Sequence, residues 1–233
     1  MKYSEFFLQF AGSCRTKHLD LGWWTSTIRR TKYLLGISRY HPPPLRNKRS
    51  YRLPKTTGLP LEFFRMDPWE MEYLFMLASR ATRGIVEIGR KKGGSLFVLA
   101  GANKAVPIYS VDIKPRNDAR LRSVFQRHQI GNNVELIVGD SQTVKYPQIG
   151  EIDLLFVDGD HTYEGCLRDL ENWWPNVATG GHIVVHDSYF PNPPQKAVLD
   201  FVSSHHVEIV LSPYIPATHW HHPTGSLAHI IKK

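Results

Sequence analysis

The chain has only two cysteines among its 233 residues, and no apolar run approaches the roughly 20 residues that a membrane-spanning helix needs. Two cysteines are too few for a scaffold stapled by disulfides, which excludes the class of small disulfide-rich secreted proteins. Glu5 and Gln9 interrupt the short apolar stretch at the N-terminus, which argues against a secretion signal. These absences predict a protein of the reducing cytoplasm without a transmembrane segment.

Acidic residues are nearly missing from residues 1–60, which contain 12 lysines and arginines but only Glu5 and Asp20. The remainder has 17 basic and 19 acidic residues, so the N-terminal segment accounts for the net charge of +8. We therefore expect a basic N-terminal extension over residues 1–60 and one domain over residues 61–233. The extension could bind an acidic partner, nucleic acid or a membrane surface, or it could be a solvated arm that packs on the domain.

From Asp67 onward, strand-sized apolar runs alternate with segments that can form helices. Asp67, Pro68 and Glu70 are typical of an N-cap, a first helical position and a capping glutamate, so a helix is predicted to begin there. Runs that are apolar on both faces are typical of a parallel sheet buried between helices. The predicted strands of this kind are 85–88, 106–111, 134–138, 152–157 and 183–185.

The last part of the chain predicts a different ending to the sheet. After helices over 162–177 and about 195–204, two more strands, 207–211 and 225–231, are separated by a loop rich in proline and histidine. Two adjacent strands of this kind predict an antiparallel hairpin at the sheet edge. The predicted fold is therefore α/β, a doubly wound, mostly parallel, seven-stranded sheet that ends in an antiparallel hairpin.

The motif G-I-V-E-I-G-R-K-K-G-G-S combines a buried strand with a glycine turn and predicts a ligand site. Glu87 closes the strand, Gly89 allows a sharp turn, and Gly93, Gly94 and Ser95 let the N–H groups of the next helix approach a ligand. The glycine spacing differs from the dinucleotide fingerprint G-x-G-x-x-G, and an acid before the turn would repel a pyrophosphate. An acid there suits a ligand with an amino group or a sulfonium charge, and S-adenosylmethionine carries both.

Polar residues also close the next two predicted strands. Asp112 lies 23 residues after Gly89, where an acid could accept hydrogen bonds from ribose hydroxyls. Asp140 could contact an adenine amino group, and the N–H of Ser141 a ring nitrogen. Both aspartates could instead only cap helices.

Two further aspartates are predicted to meet at one edge of the sheet. Asp158 lies in D-G-D-H and Asp187 in V-V-H-D-S, and each would follow one of two neighbouring strands. Their carboxylates could converge on a hard divalent cation such as Mg²⁺. They could instead cap helices and orient His161 or His186, either of which is suited to act as a general base. Asp158 is a further candidate for the base and for a cofactor contact.

These motifs together resemble the class I S-adenosylmethionine-dependent methyltransferases, in particular the branch of catechol and macrolide-sugar O-methyltransferases. The resemblance covers residues 67–233 and rests on V-E-I-G-x-x-x-G-G-S, V-D-I, G-D-S, D-L-L-F-V-D-G-D-H-x-Y-E-G and G-G-H-I-V-V-H-D. Where catechol-type enzymes follow the second aspartate with asparagine, this chain has Ser188. The resemblance implies that the methionine end of the cofactor contacts Glu87, Gly89 and Gly94, the ribose Asp112, the adenine Asp140 and Ser141, and a metal Asp158 and Asp187.

The implied reaction is in-line displacement of the sulfonium methyl group by an oxygen of a small hydroxylated acceptor, such as a sugar or a natural product. Positioning of the two reactants would supply most of the acceleration, and a divalent metal could lower the pKa of the acceptor hydroxyl. Two other functions are compatible with the residues. One is a metal-dependent hydrolase built on D-G-D-H and H-D, and the other is a non-catalytic ligand-binding protein whose basic extension contacts nucleic acid or a membrane.

Overall fold

The computed structural model describes residues 66, 68–114, 117–143, 148–188, 192–211 and 226–233. The predicted basic extension over residues 1–60, its boundary at residue 61 and the N-cap Asp67 lie outside this part of the chain. Among the described residues, no helix has both the length and the hydropathy that crossing a bilayer would require.

Helices and strands alternate along the described chain, and we number them in order. The elements are α1 (Pro68–Ala78), β1 (Ile85–Ile88), α2 (Gly94–Ala102), β2 (Ile108–Asp112), α3 (Asp118–His128), β3 (Val134–Val138), β4 (Ile152–Val157), α4 (Tyr163–Trp173), a 3₁₀ turn (Trp174–Asn176), β5 (Val177–Val185), α5 (Pro193–Ser204), β6 (Val207–Leu211) and β7 (Ala228–Lys232).

The strands form one seven-stranded sheet in the order β3-β2-β1-β4-β5-β7-β6. The first five strands of the chain pair in parallel, and β7 lies antiparallel between β5 and β6. The predicted fold, mostly parallel with an antiparallel ending, is therefore confirmed. The strand order reverses between β1 and β4, and ligands of open α/β sheets bind beyond the carboxyl ends of the strands at such a switch point.

Helices cover the sheet on both faces, which is why the central strands are apolar throughout. Successive residues of β1 face opposite sides, so Ile85 packs with α1, α2 and α3, whereas Val86 packs with α4 and α5. Trp173 of α4 is buried in this second layer. Full burial of an aliphatic or aromatic side chain contributes about 1.5–3 kcal/mol, so these two layers hold the domain together.

The strands predicted at 106–111 and 225–231 lie instead at Ile108–Asp112 and Ala228–Lys232. Glycine or proline explains three further differences between the predicted and the observed element boundaries. The strand predicted at 183–185 begins at Val177, because a register shift and a left-handed Gly180 (φ 80°) let the chain pass through two glycines and stay in the sheet. The helix predicted to reach residue 177 ends at Trp173, since Pro175 has no N–H to continue it. Helix α5 begins at Pro193, two residues early, because proline is favoured in a first turn.

A buried arginine joins the glycine turn to the neighbouring elements. The Arg90 guanidinium makes two parallel hydrogen bonds of 2.8 and 2.9 Å to the carboxylate of Asp118 on α3. It also donates to the carbonyl oxygens of Ser110 on β2 (2.7 Å) and Ile137 on β3 (2.9 Å). A planar donor that bonds three elements at once fixes their relative positions at the carboxyl edge of the sheet.

A hydrogen-bonded chain of three side chains joins α1 to strands β7 and β5. Tyr73 Oη lies 2.7 Å from His229 Nδ1, and His229 Nε2 lies 2.9 Å from His182 Nδ1. Burial, together with the charge of His182, lowers the pKa of His229 to about 4. His229 therefore stays neutral in the folded protein under mildly acidic conditions, where a solvated histidine would be protonated.

We expect acidification from pH 7.5 to 4.5 to destabilise the fold through His229. Its contribution is complete above the unfolded pKa of about 6.5 and is lost as the pH falls towards the folded value of about 4, because only the unfolded imidazole takes up a proton there. Urea denaturation of wild type and His229→Gln at both pH values measures the effect. The stability of wild type relative to the variant should fall by about 2–3 kcal/mol, and a difference independent of pH would contradict the prediction.

Candidate active site

A cavity of about 620 Å³ opens at the carboxyl ends of the parallel strands. This volume is in the range that small-molecule sites of proteins occupy. Its described lining consists of Met66 and the segments that follow β1 to β5, namely 88–92, 94–95, 111–113, 139–142, 158–161 and 186–187. The cavity brings together nearly all of the predicted site residues: Gly89, Gly94, Ser95, Asp112, Asp140, Ser141, Asp158, His161, His186 and Asp187.

The glycine turn after β1 is shaped by a close backbone contact. Gly89 has φ 87°, and a Cβ at this position would overlap the carbonyl group of Asp158 on the neighbouring strand end. Gly93, the N-cap of α2, has the same φ, and a Cβ there would meet the Leu121 side chain. Helix α2 therefore begins at Gly94 directly beside the cavity, where its N-terminus favours a negatively charged group.

Two of the predicted cofactor-binding residues, Glu87 and Gly93, lie behind the described cavity lining rather than in it. Glu87 is fully buried because it shares the face of β1 that packs on α2. Ser95 Oγ and Ser110 Oγ each donate a 2.5 Å hydrogen bond to one of its carboxyl oxygens. Burial raises the pKa of Glu87 to about 7 in spite of these bonds. Each carboxyl oxygen of Glu87 is therefore bonded by a serine hydroxyl, which leaves the carboxyl group no open side for direct contact with a ligand.

Asp112 is held rigidly at the end of β2. Its Oδ2 accepts a 2.8 Å hydrogen bond from the N–H of Lys91, and its Oδ1 accepts one of 2.8 Å from the N–H of Lys114. Lys91 has φ 47°, the left-handed conformation that a tight turn over Asp112 requires. Each carboxylate oxygen has a second lone pair, so capping and ligand binding, the two alternatives for Asp112, are compatible here.

The segment after β3 is fixed from α4. Asp140 Oδ1 accepts a hydrogen bond from the N–H of Gln142 (2.9 Å), so Asp140 stabilises its own turn. Ser141 turns its side chain away from the cavity, and its Oγ donates to Asp169 Oδ1 at 2.6 Å. The Ser141 carbonyl accepts from Asn172 Nδ2 (2.6 Å) and from the indole N–H of Trp173 (3.1 Å). The hydroxyl and the carbonyl of Ser141 are thus both hydrogen-bonded, and the contact of its backbone N–H with a ligand stays a prediction.

Asp158, His161 and Asp187 form a cluster on the cavity wall, which we call the Asp-His-Asp cluster. One ligand atom from each residue lies within 4.8 Å of the others. His161 Nε2 is 3.9 Å from Asp158 Oδ1 and 3.7 Å from Asp187 Oδ2. The parallel pairing of β4 and β5 brings the two aspartates together, as their positions after these strands predict.

His186 is buried beside this cluster with a carboxylate at each ring nitrogen. Its Nε2 lies 3.1 Å from Glu70 Oε2, and its Nδ1 lies 3.1 Å from Asp158 Oδ1 and 3.5 Å from Asp187 Oδ2. Burial alone would lower the pKa of His186, but Asp158 and Glu70 outweigh it and raise that pKa well above its usual value. A protonated imidazole cannot accept a proton, which weakens the prediction of His186 as a general base.

Glu70, which the sequence indicated only as a helix-capping residue, instead connects His186 to the segment before β7. Its Oε1 accepts hydrogen bonds from the N–H of Ser226 (2.7 Å) and from the Ser226 hydroxyl (2.8 Å). Glu70 and Ser226 are separated by 156 residues. No local pattern could have revealed this contact.

The donors of the Asp-His-Asp cluster fit a divalent cation. Two carboxylate oxygens and one imidazole nitrogen suit manganese or zinc at least as well as magnesium, which prefers oxygen ligands. Ser188, which stands where catechol-type enzymes have asparagine, is buried, and its Oγ donates to the Val185 carbonyl at 3.1 Å. The Ser188 hydroxyl therefore bonds the end of the strand and does not face the cluster. His161 is the third residue of the cluster that could donate to a cation.

Ile113 and Gln142 are among the cavity residues that the sequence did not indicate as part of the site. Ile113 is 65% exposed next to Asp112, and it lines the cavity as an apolar surface. Gln142 reaches across from the β3 segment, where its Nε2 lies 3.5 Å from Asp160 Oδ2. An exposed isoleucine and a loop glutamine have no periodic signature, because only the sheet topology brings them to one wall.

Comparisons with known proteins agree with this geometry. Residues 86–188 match the family model described as "Methyltransferase domain". A 110-residue segment, 44% of this chain, is 30% identical to uncharacterized protein R132 of Acanthamoeba polyphaga mimivirus, and the chain spans about half (50%) of that protein.

Solved structures extend the agreement to the fold. An SAH-bound Podospora anserina methyltransferase superposes with a TM-score of 0.54 at 15% identity, covering 100% of this chain and 97% of that one. A SAM-dependent O-methyltransferase from Thermotoga maritima gives 0.55 at 16% identity, covering 71% and 65%. The resemblance inferred from the motifs is therefore supported: residues 86–188 match a methyltransferase domain, and the fold is shared with solved structures of S-adenosylmethionine-dependent methyltransferases.

Replacing Gly89 by alanine should destabilise the domain by about 2 kcal/mol or more, since a side chain there is strained at φ 87° and overlaps the Asp158 carbonyl. Gly150→Ala is the matched control, because nothing lies within 4 Å of a Cβ at that position. Urea denaturation of the two variants measures the effect. Equal stability of both variants would show that the close contact does not constrain the turn.

Proposed function

We propose that this protein transfers the methyl group of S-adenosylmethionine to a hydroxyl oxygen of a small acceptor, with sugars and natural products as the favoured classes. One observation carries the proposal. The glycine turn, Asp112, the segment at Asp140 and the Asp-His-Asp cluster line a single cavity at the carboxyl edge of the sheet. The family match over residues 86–188 supports the transferase class, and the O-methylating branch rests on the motifs.

The cavity offers a separate surface for each part of the cofactor. The methionine carboxylate would lie at the N-terminus of α2 beside Gly94 and Ser95. The ribose hydroxyls would donate to Asp112, whose oxygens are already oriented by two backbone N–H groups. The adenine would pack on Ile113 and reach Asp140 and the N–H of Ser141. In this proposal Glu87 acts through Ser95, as a buried acid behind the turn.

His161 is the group we assign as general base. It is half exposed, in contrast to the buried His186, and its Nε2 faces the cavity within 4 Å of two carboxylates. The acceptor O–H would give its proton to His161 as the oxygen forms a bond to the methyl carbon and the sulfur–methyl bond breaks. The carboxylates of Asp158 and Asp187 would face the positive charge that this proton transfer places on the imidazole ring.

A divalent cation would occupy the same residues in a different way. Held by Asp158, His161 and Asp187, it would lower the pKa of a bound acceptor hydroxyl. His161 could not then act as the base, so the metal and the histidine base are alternatives. Removal of metal from the enzyme distinguishes them.

The Asp-His-Asp cluster also favours a second candidate function, a metal-dependent hydrolase with metal-bound water as nucleophile. That function gives no role to the glycine turn or to Asp112. The basic extension over residues 1–60 is proposed to contact an acidic partner or membrane surface.

Asp112→Ala should weaken binding of S-adenosylhomocysteine by about 1–3 kcal/mol, a factor of roughly 5–150, because charge-assisted hydrogen bonds to the ribose are lost. Isothermal titration calorimetry measures the affinity. Asp200→Ala is the control, since Asp200 is a partly exposed aspartate on α5 that lies outside the cavity lining and bonds Lys196 and Tyr163. Unchanged binding by Asp112→Ala would refute the ribose assignment.

His161→Ala should lower methyl transfer from labelled S-adenosylmethionine to a panel of hydroxylated acceptors by about 10²–10⁴-fold, the range for loss of a general base. Affinity for S-adenosylhomocysteine should stay within about twofold, since His161 contacts the acceptor side. His206→Ala, an exposed histidine before β6, is the control.

Each acceptor is assayed with EDTA and with added Mg²⁺ or Mn²⁺. Wild-type activity that survives EDTA supports the histidine base, and activity lost in EDTA and restored by metal supports the cation. Absence of cofactor binding together with metal-dependent phosphoesterase activity would overturn the methyltransferase proposal in favour of the hydrolase.

A further inference from the structure

Asp169 on α4 is a buried carboxyl group that the proposed reaction does not use. Its side chain is fully inaccessible, and it lies beneath the cavity wall rather than in it. Its Oδ1 accepts the 2.6 Å hydrogen bond from Ser141 Oγ. Its Oδ2 is buried without a hydrogen-bond partner within the part of the chain that the structure describes. Buried polar atoms are almost always hydrogen-bonded, so a buried carboxyl oxygen without a partner needs a structural or functional explanation.

Three side chains of α4 converge on Ser141. Asp169 bonds its hydroxyl, and Asn172 and Trp173 bond its carbonyl oxygen. Their i, i+3 and i+4 spacing places them on one face of the helix. Helix α4 thus bonds Ser141 at both its hydroxyl and its carbonyl oxygen. These bonds orient the residue and therefore also the direction of its N–H.

The same carboxyl also supports the segment after β4. A Cβ at Gly159 would lie 3.2 Å from Asp169 Oδ2, so the carboxyl packs directly under that glycine. Gly159 and Ser141 both line the cavity. Asp169 is therefore the point at which α4 contacts two of the loops that surround a ligand.

The surroundings of Asp169 make its carboxyl group a weaker acid than a solvated aspartate. Burial, with added repulsion from Asp160 and Asp140, raises the pKa of Asp169 to about 7. Cys166 is also packed nearby, and burial together with the charges of Asp169 and Asp160 raises the pKa of its thiol. A neutral amide of the same shape can accept the Ser141 hydroxyl equally well.

We propose that Asp169 is a positioning residue that orients Ser141 from α4, so that the backbone N–H of Ser141 meets the adenine and the affinity for the cofactor is set. This inference rests on the proposed function. It assigns to Asp169 no contact with the cofactor and no proton transfer. It predicts that affinity depends on the contact between Asp169 and Ser141, not on the charge.

Isothermal titration calorimetry of the full chain with S-adenosylhomocysteine tests the proposal on four variants. Asp169→Ala should weaken binding about tenfold, whereas Asp169→Asn should stay within about threefold of wild type. Ser141→Ala, which keeps the backbone N–H, should weaken binding as much as Asp169→Ala. The double variant should be no weaker than either single variant, because both changes remove one interaction.

A control separates positioning from loss of stability. Asp153 lies at the opposite end of the sheet and accepts hydrogen bonds from Thr82 and Arg83. Asp153→Ala should lower the free energy of unfolding in urea and leave the affinity unchanged. A drop in affinity for this variant as large as that for Asp169→Ala would overturn the proposal, since loss of stability alone would then explain the weaker binding.

The remaining outcomes are also decisive. Wild-type affinity in both Asp169→Ala and Ser141→Ala, or additive losses in the double variant, would overturn the role of Asp169 while the proposed function stands. If Asp169→Ala does not fold, Ser141→Ala and Asp169→Asn test the same contact. No binding by the wild type would overturn the proposed function and this inference with it.

Discussion

The parallel backbone ladder extends one residue beyond the carboxyl end of each central strand, and the rest of the site depends on this constraint. Gly89 donates to the carbonyl of Val111, Asp158 to that of Ile88, and His186 to that of Val157, all between 2.8 and 2.9 Å. Backbone hydrogen bonds therefore fix the residues that follow the strands. Their side chains face one cavity because parallel strands end at one edge.

The same edge concentrates acidic groups, and the structure balances their charge in several ways. Asp112 is stabilised by two backbone N–H groups, and Glu87 is bonded by two serines and has a raised pKa. Asp158 and Asp187 lie next to His186, which Glu70 holds on the opposite side. An edge of this kind favours a cationic ligand, which is consistent with a sulfonium cofactor.

The sequence predicted which segments form helices and which form strands, because burial gives each kind of element its own pattern of apolar residues. Strands β1, β3, β4 and β6 begin and end where the apolar runs predict. The early start of β5 was not predictable, since a strand that continues through Gly180 looks like a loop until the pairing with β4 accommodates it. Asp112 and Asp187 were proposed as site residues because ligands of open parallel sheets bind beyond the carboxyl ends of the strands, which is where both aspartates lie.

Other parts of the site depend on contacts between distant segments. Glu70 lies 116 residues from His186, and Asp169 lies 28 residues from Ser141, so neither pair has a local signature. The burial of Glu87 also depends on α2, which packs on the same face of β1 and bonds the carboxyl group through Ser95. The sequence alone determined the order of the elements and the chemistry at the strand ends, because periodicity and residue type are local properties. Only the tertiary structure decided which charges meet and which carboxyl groups are buried, because burial and pairing depend on segments that the chain brings together from afar.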